Sequence, residues 1–478
     1  MQSHLYRFRP ADALLDKYHE LERQEIYFAS PEELNDPMEG FVDILWRGDR
    51  IVWENLLRHY LVCLQQAYML ASLSGPEAAV PWEYIPIVDP GDRRAHTPAH
   101  RQLHEEMFDM FFAEPAVEDF INAIVNRDGP IRRDELIFHL TGIHRLALFV
   151  IRQTSSAHGM TPKLDSPETL RDAAIQLLRN ATSATVALKQ STGTEPLTEQ
   201  AIEDLFTVSV LMFRQQALRN IQQSIIDPTK VGANLVVHEF PEGYVKQIER
   251  ILYPDWYVAC FMENCSKSSI WGTYGSKHEG ICLRFKTTVK DGRHSLRLNF
   301  FNGVSANGPI RSDAEAGFDK VTYTPDVGSV DFFSSIGRLF IPVLNKYWYA
   351  DKNGQRSSSA ALLDRDQKAW REAYWQNFRA RTTSKLEDWQ LECEHRIVHC
   401  SSLLDLSNRE MRKATYRLED LDGIIFGIRT PLEDKLKIIQ VIQAKWAAHG
   451  KTDLKFYQAA YSKSKGVIEH HELGLLKL

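Results

Sequence analysis

Two glutamates, Glu392 and Glu394, form the most promising acid–base pair in the sequence, with Cys393 between them. If this segment is a β-strand, residues i and i+2 project from one face, so the two carboxylates would lie close together. Crowded carboxylates raise the pKa of one partner, which can hold a base near neutrality or keep an acid protonated. Arg396 would share that face. The alternative is therefore a solvated edge strand whose glutamates pair with Arg396.

A second pair, Arg7 and Arg9, has the same spacing near the start of the chain. Two guanidinium groups on one face of a strand suit bidentate recognition of phosphate or carboxylate. The alternative is an ion pair with Glu39 or Asp36, which follow in a turn marked by Asn and Pro. The sequence favours neither interpretation.

An aromatic segment lies between two apolar runs, 256–261 and 280–285, that predict buried strands. Between them, Trp271 and Tyr274 are three residues apart and would share one face of a short helix. His278 follows in a turn. One interpretation is a packing corner, because aromatic side chains bury large apolar areas. The other is the wall of a ligand pocket.

Metal and nucleotide motifs are not evident. The histidines and cysteines that cluster in the sequence are Cys393, His395, His399, Cys400, His470 and His471. Their spacing matches no zinc pattern, so we expect no metal. The sequence has no P-loop, no Gly-x-Gly-x-x-Gly after a strand and no Gly-x-Ser-x-Gly elbow.

Composition indicates an ordinary globular protein. The chain has 478 residues, 44% hydrophobic and 25% charged, and a net charge of −6. The charge argues against a protein that coats nucleic acid, although a local basic groove is compatible with it. The six cysteines contain no Cys-x-x-Cys pair, which suggests reduced, buried thiols. With no leader and no long apolar run, we expect a soluble, cytoplasmic protein without a membrane partner.

Periodicity divides the chain into two kinds of structure. We predict an α+β core domain from 1–44 and 236–478, with a mixed sheet, and a mostly helical insertion at 45–235. The predicted helices of the insertion are 50–72, 100–126, 132–156, 166–190 and 197–226. Strand candidates in the core include 236–240 and 386–400. In the last predicted helix of the insertion, we expect the following apolar stripe to face a core: Ile202, Leu205, Phe206, Val208, Leu211, Met212, Leu218 and Ile221.

Four blocks of sequence have a shared, punctuated character. They are LYRFRP from residue 5 with LNDPMEG from residue 34, the block WGTYGSKHEGICLRF from residue 271, KLEDWQLECEHR from residue 385, and LDGIIFGIR from residue 421. In this order they resemble the family called domain of unknown function 2971. The resemblance covers about residues 4–44 and 253–442. The family name implies no biochemical activity.

The order of the candidate residues is also similar to that of ADP-ribosyltransferases. In that class an early-strand Arg or His orients NAD, aromatic residues flank the nicotinamide, and a late Glu-x-Glu stabilises an oxocarbenium-like transition state. The analogy implies that Glu394 is the catalytic glutamate and Glu392 its orienting partner. The usual Ser-Thr-Ser element is not visible. The residues that we expect to line the NAD cleft are Arg7, Arg9, Tyr27, Asn35, Trp271, Tyr274 and His278.

Three functions follow as hypotheses. The first is a bacterial effector enzyme of the ADP-ribosyltransferase type that uses NAD, in phage defence or as a toxin. The second is a non-enzymatic module that senses a ligand or a phage protein. The third is a nuclease-like effector acting on RNA, which the acidic balance and the lack of a metal cluster disfavour. The substrate, the target and the oligomeric state are not predicted.

Overall fold

The computed structural model of the chain describes residues 2–36, 38–87, 97–190, 198–227, 231–325, 328–401 and 404–474. The chain divides into two compact units. Unit 1 comprises Met1–Phe41, Pro254–Val327 and Gln376–Leu478, and unit 2 comprises Val42–Tyr253 and Gly328–Trp375. The fold is α+β, as predicted, with a large sheet and many helices.

Strands dominate unit 1. In the described part of the chain they are β1 Gln2–Arg9, β2 Glu25–Tyr27, β3 Asp43–Leu45, β4 Trp256–Met262, β5 Ile281–Lys290, β6 Arg293–Ser305, β7 Gly308–Gly317, β8 Asp319–Lys320, β9 Thr322–Thr324, β10 Ser329–Asp331, β11 Ser384–Leu386, β12 Glu394–Cys400, β13 Lys413–Tyr416, β14 Leu421–Phe426, β15 Lys455–Ser462 and β16 Val467–Glu472. Of these, β3 and β10 belong to unit 2, where they pair in parallel.

Helices dominate unit 2. The described α-helices of the chain are α1 Glu20–Arg23, α2 Arg50–Ser74, α3 Pro98–Phe112, α4 Pro115–Val125, α5 Arg133–Ala157, α6 Pro167–Gln190, α7 Glu199–Ile226, α8 Val231–Asn234, α9 Phe240–Ile248, α10 Ser268–Thr273, α11 Ile341–Tyr347, α12 Ala361–Arg365, α13 Gln367–Thr382 and α14 Leu432–His449. None of these described helices has the length and apolar character needed to cross a membrane.

Unit 1 is built on a 12-stranded mixed sheet. Its main path runs β16-β15-β14-β5-β1-β4-β12-β8, and β6, β7, β13 and β2 extend it from β5. β14 and β15 are parallel, whereas β1 is antiparallel to both β4 and β5. Parallel neighbours require a crossover connection, and α14 supplies it. The first strand of the chain therefore lies inside the sheet, between strands that follow it by more than 240 positions.

Both faces of this sheet are buried. We name them after two neighbouring residues of β1, because successive side chains of a strand point to opposite faces. The Leu5 face carries the larger apolar core, which includes Leu5, Phe261, Phe285, Ile397 and Ile424. The Phe8 face carries a smaller one, which includes Phe8, Met262, Trp271, Cys282, Ile425 and Tyr457.

The segment 328–375 groups with the helical unit, whereas the sequence predicts it within the sheet domain. Its aromatic residues explain the difference. Phe332 stacks on Trp46 with ring centroids 5.6 Å apart, and Phe333 meets Trp53 edge-on at 5.1 Å. These large apolar contacts complete a core with the start of α2.

The predicted strand at 236–240 is wrong. Leu235–Glu239 forms a π-helical turn, and α9 follows it directly. Phe240, Tyr244 and Ile248 are all fully buried at a spacing of four. This helical periodicity continues beyond the short window on which the strand prediction relied.

The predicted core stripe of α7 is also mostly wrong. Phe206 is buried and packs against Phe138 of α5, with ring centroids 5.2 Å apart. The exposed members of the stripe are Leu205, Val208, Leu211, Met212 and Leu218. Apolar residues occur around much of the circumference of this helix, so one packed edge cannot cover them all.

Candidate functional site

The segment that carries Glu392 and Glu394 is not the continuous strand predicted for 386–400. A 3₁₀ helix spans Glu387–Glu392, and β12 begins at Glu394. Cys393 joins them with a φ of 47°, in the left-handed region that L-residues rarely adopt. The chain therefore changes direction between the two glutamates. Their side chains nevertheless enter the same buried network.

Five charged side chains form this network, which we call the carboxylate cluster: Glu39, Lys385, Glu392, Glu394 and Arg396. Arg396 donates Nε and Nη2 to the two oxygens of Glu394 at 2.9 and 3.0 Å, and it also pairs with Glu39. Lys385 donates Nζ to Glu392 Oε2 at 2.8 Å. The same Nζ lies 3.6 Å from oxygens of Glu39 and Glu394. Three carboxylates therefore share two cations.

Each of the five side chains is at most 3% exposed. Because charged groups are costly to bury, burial strongly affects the pKa values in the cluster. Burial, opposed by Lys385, raises the pKa of Glu394 to about 7. Burial also lowers the pKa of Arg396 to about 9. Burial would lower the pKa of Lys385, but Glu394, Tyr274 and Glu392 outweigh it and raise that pKa. A proton on Glu394 would balance three carboxyl groups against two cations.

Aromatic side chains border the cluster. Tyr274 donates Oη to Glu392 Oε1 at 2.6 Å, and Tyr323 Oη accepts from the backbone N of Glu394 at 2.9 Å. Lys385 Nζ lies 4.5 Å from the ring centroid of Trp389. We call Tyr274, Tyr323 and Trp389 the aromatic rim. All three are half-buried, so the rim connects the buried charges to the surface of unit 1.

Strand register places Glu394 on the Phe8 face. Glu394 lies opposite Met262 of β4, and Met262 belongs to the Phe8-face core together with Trp271. The structure thus brings Glu392, Glu394 and Tyr274 together, with Trp271 on the same face. Trp271 itself is a core residue: it is fully buried, and its Nε1 donates to the carbonyl of Cys265 at 2.8 Å. For Trp271 the packing-corner interpretation holds.

Arg7 does not join this site, contrary to prediction. It alternates with Phe8 along β1 and therefore points to the Leu5 face. There its guanidinium lies 5.4 Å from the ring centroid of Phe261 and donates to the carbonyl of Tyr27 at 3.1 Å. The sheet separates Arg7 from Glu394.

Arg9 has the same orientation and pairs with Glu20, to which its Nε donates at 2.7 Å. The alternative pairing of Arg7 or Arg9 with Glu39 or Asp36 is therefore also wrong, since Glu39 pairs with cations of the carboxylate cluster. Pro37, part of the predicted turn, lies outside the described residues.

The remaining residues expected at the cleft lie elsewhere in unit 1. Tyr27 donates Oη to Glu33 at 2.9 Å. Asn35 is exposed in the turn that follows. His278 Nε2 lies 3.4 Å from Ser268 Oγ, and burial lowers the pKa of His278. The structure thus brings together the two glutamates and Tyr274, and it places Arg7, Arg9, Tyr27, Asn35 and His278 elsewhere in unit 1.

Sequence reasoning did not identify Lys385 and Glu39 as partners of the two glutamates. Both residues lie in the conspicuous blocks, one in LNDPMEG and the other at the start of KLEDWQLECEHR. The only indication in the sequence that they belong to the site is that each is a charged residue in one of these blocks. Because they are about 350 positions apart, local periodicity could not show that they meet.

Unit 2 contains a cavity of about 280 Å³ with a charged lining. Arg50, Glu54 and Arg58 contribute to it, and the two arginines pair with Glu54 at 2.7 and 3.3 Å. The charges of the two arginines are thus already paired with Glu54, so the cavity by itself identifies no ligand. Among the described residues of the chain, no group of three or more His, Cys, Asp or Glu side chains could hold a metal ion.

Comparisons with known proteins give no match for this chain. No protein-family model matches the sequence. No curated protein and no solved structure matches it either. The resemblance to domain of unknown function 2971 stays a prediction that rests on the four sequence blocks.

Proposed function

We propose that unit 1 is a ligand-binding module for a small molecule with a positively charged ring, and that NAD is this ligand. The observation that best supports the proposal is the carboxylate cluster, in which three carboxylates share two cations behind the aromatic rim. The oxidised nicotinamide ring is aromatic and cationic. Both the rim and the excess of carboxylates would therefore favour it.

Tyr274 would make the first contact, because it is half-buried and its Oη is bonded to Glu392. A cation over a tyrosine or tryptophan face contributes about 0.5–2 kcal/mol. The positive ring would also favour the ionised form of Glu394, whose pKa burial raises. Binding should therefore release a proton from the cluster near neutral pH.

ADP-ribosyl transfer is a second candidate, favoured by the unequal environments of the two adjacent glutamates. Glu392 accepts hydrogen bonds from Tyr274 and Lys385, whereas burial raises the pKa of Glu394. Such a difference allows one carboxylate to orient a substrate and the other to respond to developing positive charge. Chemistry would require Arg396 to release at least one oxygen of Glu394. A role in phage defence or as a toxin stays a prediction.

Titration calorimetry of the full chain with NAD and NADH would test ligand binding. NADH is a matched ligand, since its ring is neutral. We expect NAD to bind at least about 10-fold more tightly than NADH, with proton release, because a single charge contact contributes about 1.4 kcal/mol or more. Glu392→Gln should remove most of this preference. Glu387→Gln, an exposed change in the same 3₁₀ helix, should preserve it. Equal affinities, or no binding, would overturn the proposal.

Measuring nicotinamide release from NAD would distinguish the binding module from the ADP-ribosyltransferase. If the site is catalytic, Glu394→Gln should lower the rate about 100- to 1000-fold, as expected for a lost preorganised electrostatic contact. The thermal midpoint of this variant shows whether it still folds. NAD binding without release by the wild-type chain would retain the binding module and reject the transferase.

A further inference from the structure

A second polar site lies on the Phe8 face of unit 1, outside the carboxylate cluster. It consists of Cys265, Cys282 and His470, which we call the thiol site. Cys265 Sγ lies 3.5 Å from His470 Nδ1. Cys265 and Cys282 both belong to the Phe8-face core, and each thiol affects the pKa of the other. Three separate elements therefore bring two sulfur atoms and an imidazole together: the connection after β4, the strand β5 and the strand β16.

The loop that carries Cys265 is held on two sides. Trp271 Nε1 donates to the carbonyl of Cys265 at 2.8 Å. The next carbonyl, that of Ser266, accepts from the backbone N of Ile468 in β16 at 2.9 Å. These bonds fix Cys265 beside His470, two residues further along the same strand. These two hydrogen bonds to the backbone thus hold the segment of Cys265 next to the strand of His470.

The two thiols have opposite acidities. The hydrogen bond from Cys282, together with His470 and Arg284, lowers the pKa of Cys265 to about 6 against the effect of burial. Burial raises the pKa of Cys282 well above its usual value. Tyr6 of β1 also interacts electrostatically with Cys265. The pKa values of the two thiols are therefore shifted in opposite directions, which suits one sulfur to be the nucleophile and the other to be the resolving thiol.

We propose that Cys265 is a peroxide-reactive thiol and that Cys282 resolves its oxidised form as an intramolecular disulfide. The co-reactant is a small hydroperoxide, with hydrogen peroxide as the simplest member. Cys265 is 5% exposed and His470 is half-buried, so a small oxidant suits the site better than a protein thiol does. This inference does not depend on the proposed NAD binding.

The chemistry is balanced within the site. The Cys265 sulfur attacks one peroxide oxygen; an S–O bond forms, the O–O bond breaks, and the departing hydroxide takes the proton that the Cys265 thiol gave up and leaves as water. Sulfur loses two electrons and peroxide gains them. The Cys282 sulfur then attacks the Cys265 sulfenic acid, its proton passing to the departing hydroxyl. An S–S bond forms, and a second water leaves.

Exposure and local electrostatics predict different reactive cysteines in this chain. Cys393 and Cys400 are half-buried and therefore more accessible than Cys265. The Cys393 thiol donates to the carbonyl of Gln390 at 3.7 Å, and burial raises the pKa of Cys400. If access alone decides the reaction, Cys393 or Cys400 reacts first. If the thiol site acts as proposed, Cys265 reacts first.

Peptide mapping of the full chain after treatment with equimolar hydrogen peroxide would test the proposal. We expect a Cys265–Cys282 disulfide while the other four cysteines stay reduced. Cys282→Ser should leave Cys265 as a sulfenic acid that dimedone traps, and Cys265→Ser should leave Cys282 reduced. His470→Gln should slow the oxidation about 10-fold and raise its pH midpoint, because Cys265 loses the histidine contact that helps to lower its pKa. His471→Gln, an exposed neighbour, is the matched control.

Prior oxidation of Cys393 or Cys400, absence of the disulfide, or equal slowing by His470→Gln and His471→Gln would each overturn the proposal. Thermal midpoints of the variants, measured under reducing conditions, separate loss of reactivity from loss of folding. A disulfide in the wild-type chain that Cys265→Ser abolishes would support it even if Cys282→Ser folds poorly.

Discussion

One arginine–glutamate pair in unit 1 and one in unit 2 lie in opposite environments. In unit 1, the side chains of Arg396 and Glu394 are 0% and 2% exposed. In unit 2, those of Arg50 and Glu118 are 42% and 49% exposed. Removing one partner of a buried pair leaves an uncompensated charge in a low dielectric, whereas water replaces the lost partner at the surface. The same two residue types therefore form a buried, tightly constrained pair at one position and a solvated surface pair at the other.

The largest effect should follow from removing the buried arginine. Arg396→Met keeps most of the side-chain volume but leaves Glu394 and Glu39 without this cation. We expect the free energy of unfolding of unit 1 to fall by about 3–5 kcal/mol. Hydrogen exchange of the amides in β4 and β12 would measure it. Arg297→Met, which breaks an exposed pair with Glu315 in the same unit, is the control. A loss below about 1 kcal/mol for Arg396→Met would contradict the comparison.

A smaller effect should appear as pH dependence. Because the pKa of Glu394 is raised from 4.5 to about 7, its proton stabilises the folded state. This contribution is fully present below the unfolded pKa and is lost as pH rises through the folded pKa. We expect a decrease of about 1–3 kcal/mol between pH 5 and pH 8, which Glu394→Gln should flatten. Glu387→Gln should keep the wild-type slope in urea unfolding. An unchanged slope for Glu394→Gln would assign the titration to another group.

The smallest effect belongs to the exposed pair of unit 2. Arg50→Met should change the free energy of unfolding by about 0–1 kcal/mol, since water solvates both partners. The change should shrink further between about 0.15 and 1 M salt, where screening shortens from about 8 to 3 Å. Urea unfolding at the two salt concentrations would measure it. A salt-independent loss above about 2 kcal/mol would mean that this pair behaves like the buried one.

The helices of unit 2 were predictable because their signals are local. The prediction of 50–72 agrees with α2, whose first turn Asp49 caps by accepting from Ile51 and Val52. The prediction of 132–156 likewise agrees with α5. The capping residue and the 3.6-residue periodicity both lie within the helix that they specify. The wrong prediction of a buried stripe in α7 shows that periodicity predicts the helix but not which of its faces packs against the core.

The site was less predictable because it depends on register between distant strands. Tyr6 and Glu394 both lie opposite Met262 of β4, so their side chains share one face of the sheet. Phe8, two residues after Tyr6, shares that face, whereas Arg7 points to the other one. A shift of one residue would exchange the faces. The sequence identified the Glu-x-Glu pair and Tyr274 but could not show this parity. The sequence also does not predict the left-handed backbone at Cys393, which turns the chain between the two glutamates. Such a conformation is readily predicted only where the residue is glycine or asparagine.

The position of β1 inside the sheet has a consequence for biosynthesis. The strand leaves the ribosome well before its neighbours β4 and β5, which follow only after the segment Val42–Tyr253 has been made. At about 5–20 residues per second, this delay is on the order of 10–50 s. During that time Leu5 and Phe8, both buried in the finished sheet, have no strand partner. A nascent chain of this protein should therefore expose β1 as an apolar, unpaired segment and be a good substrate for ribosome-associated chaperones until β5 emerges.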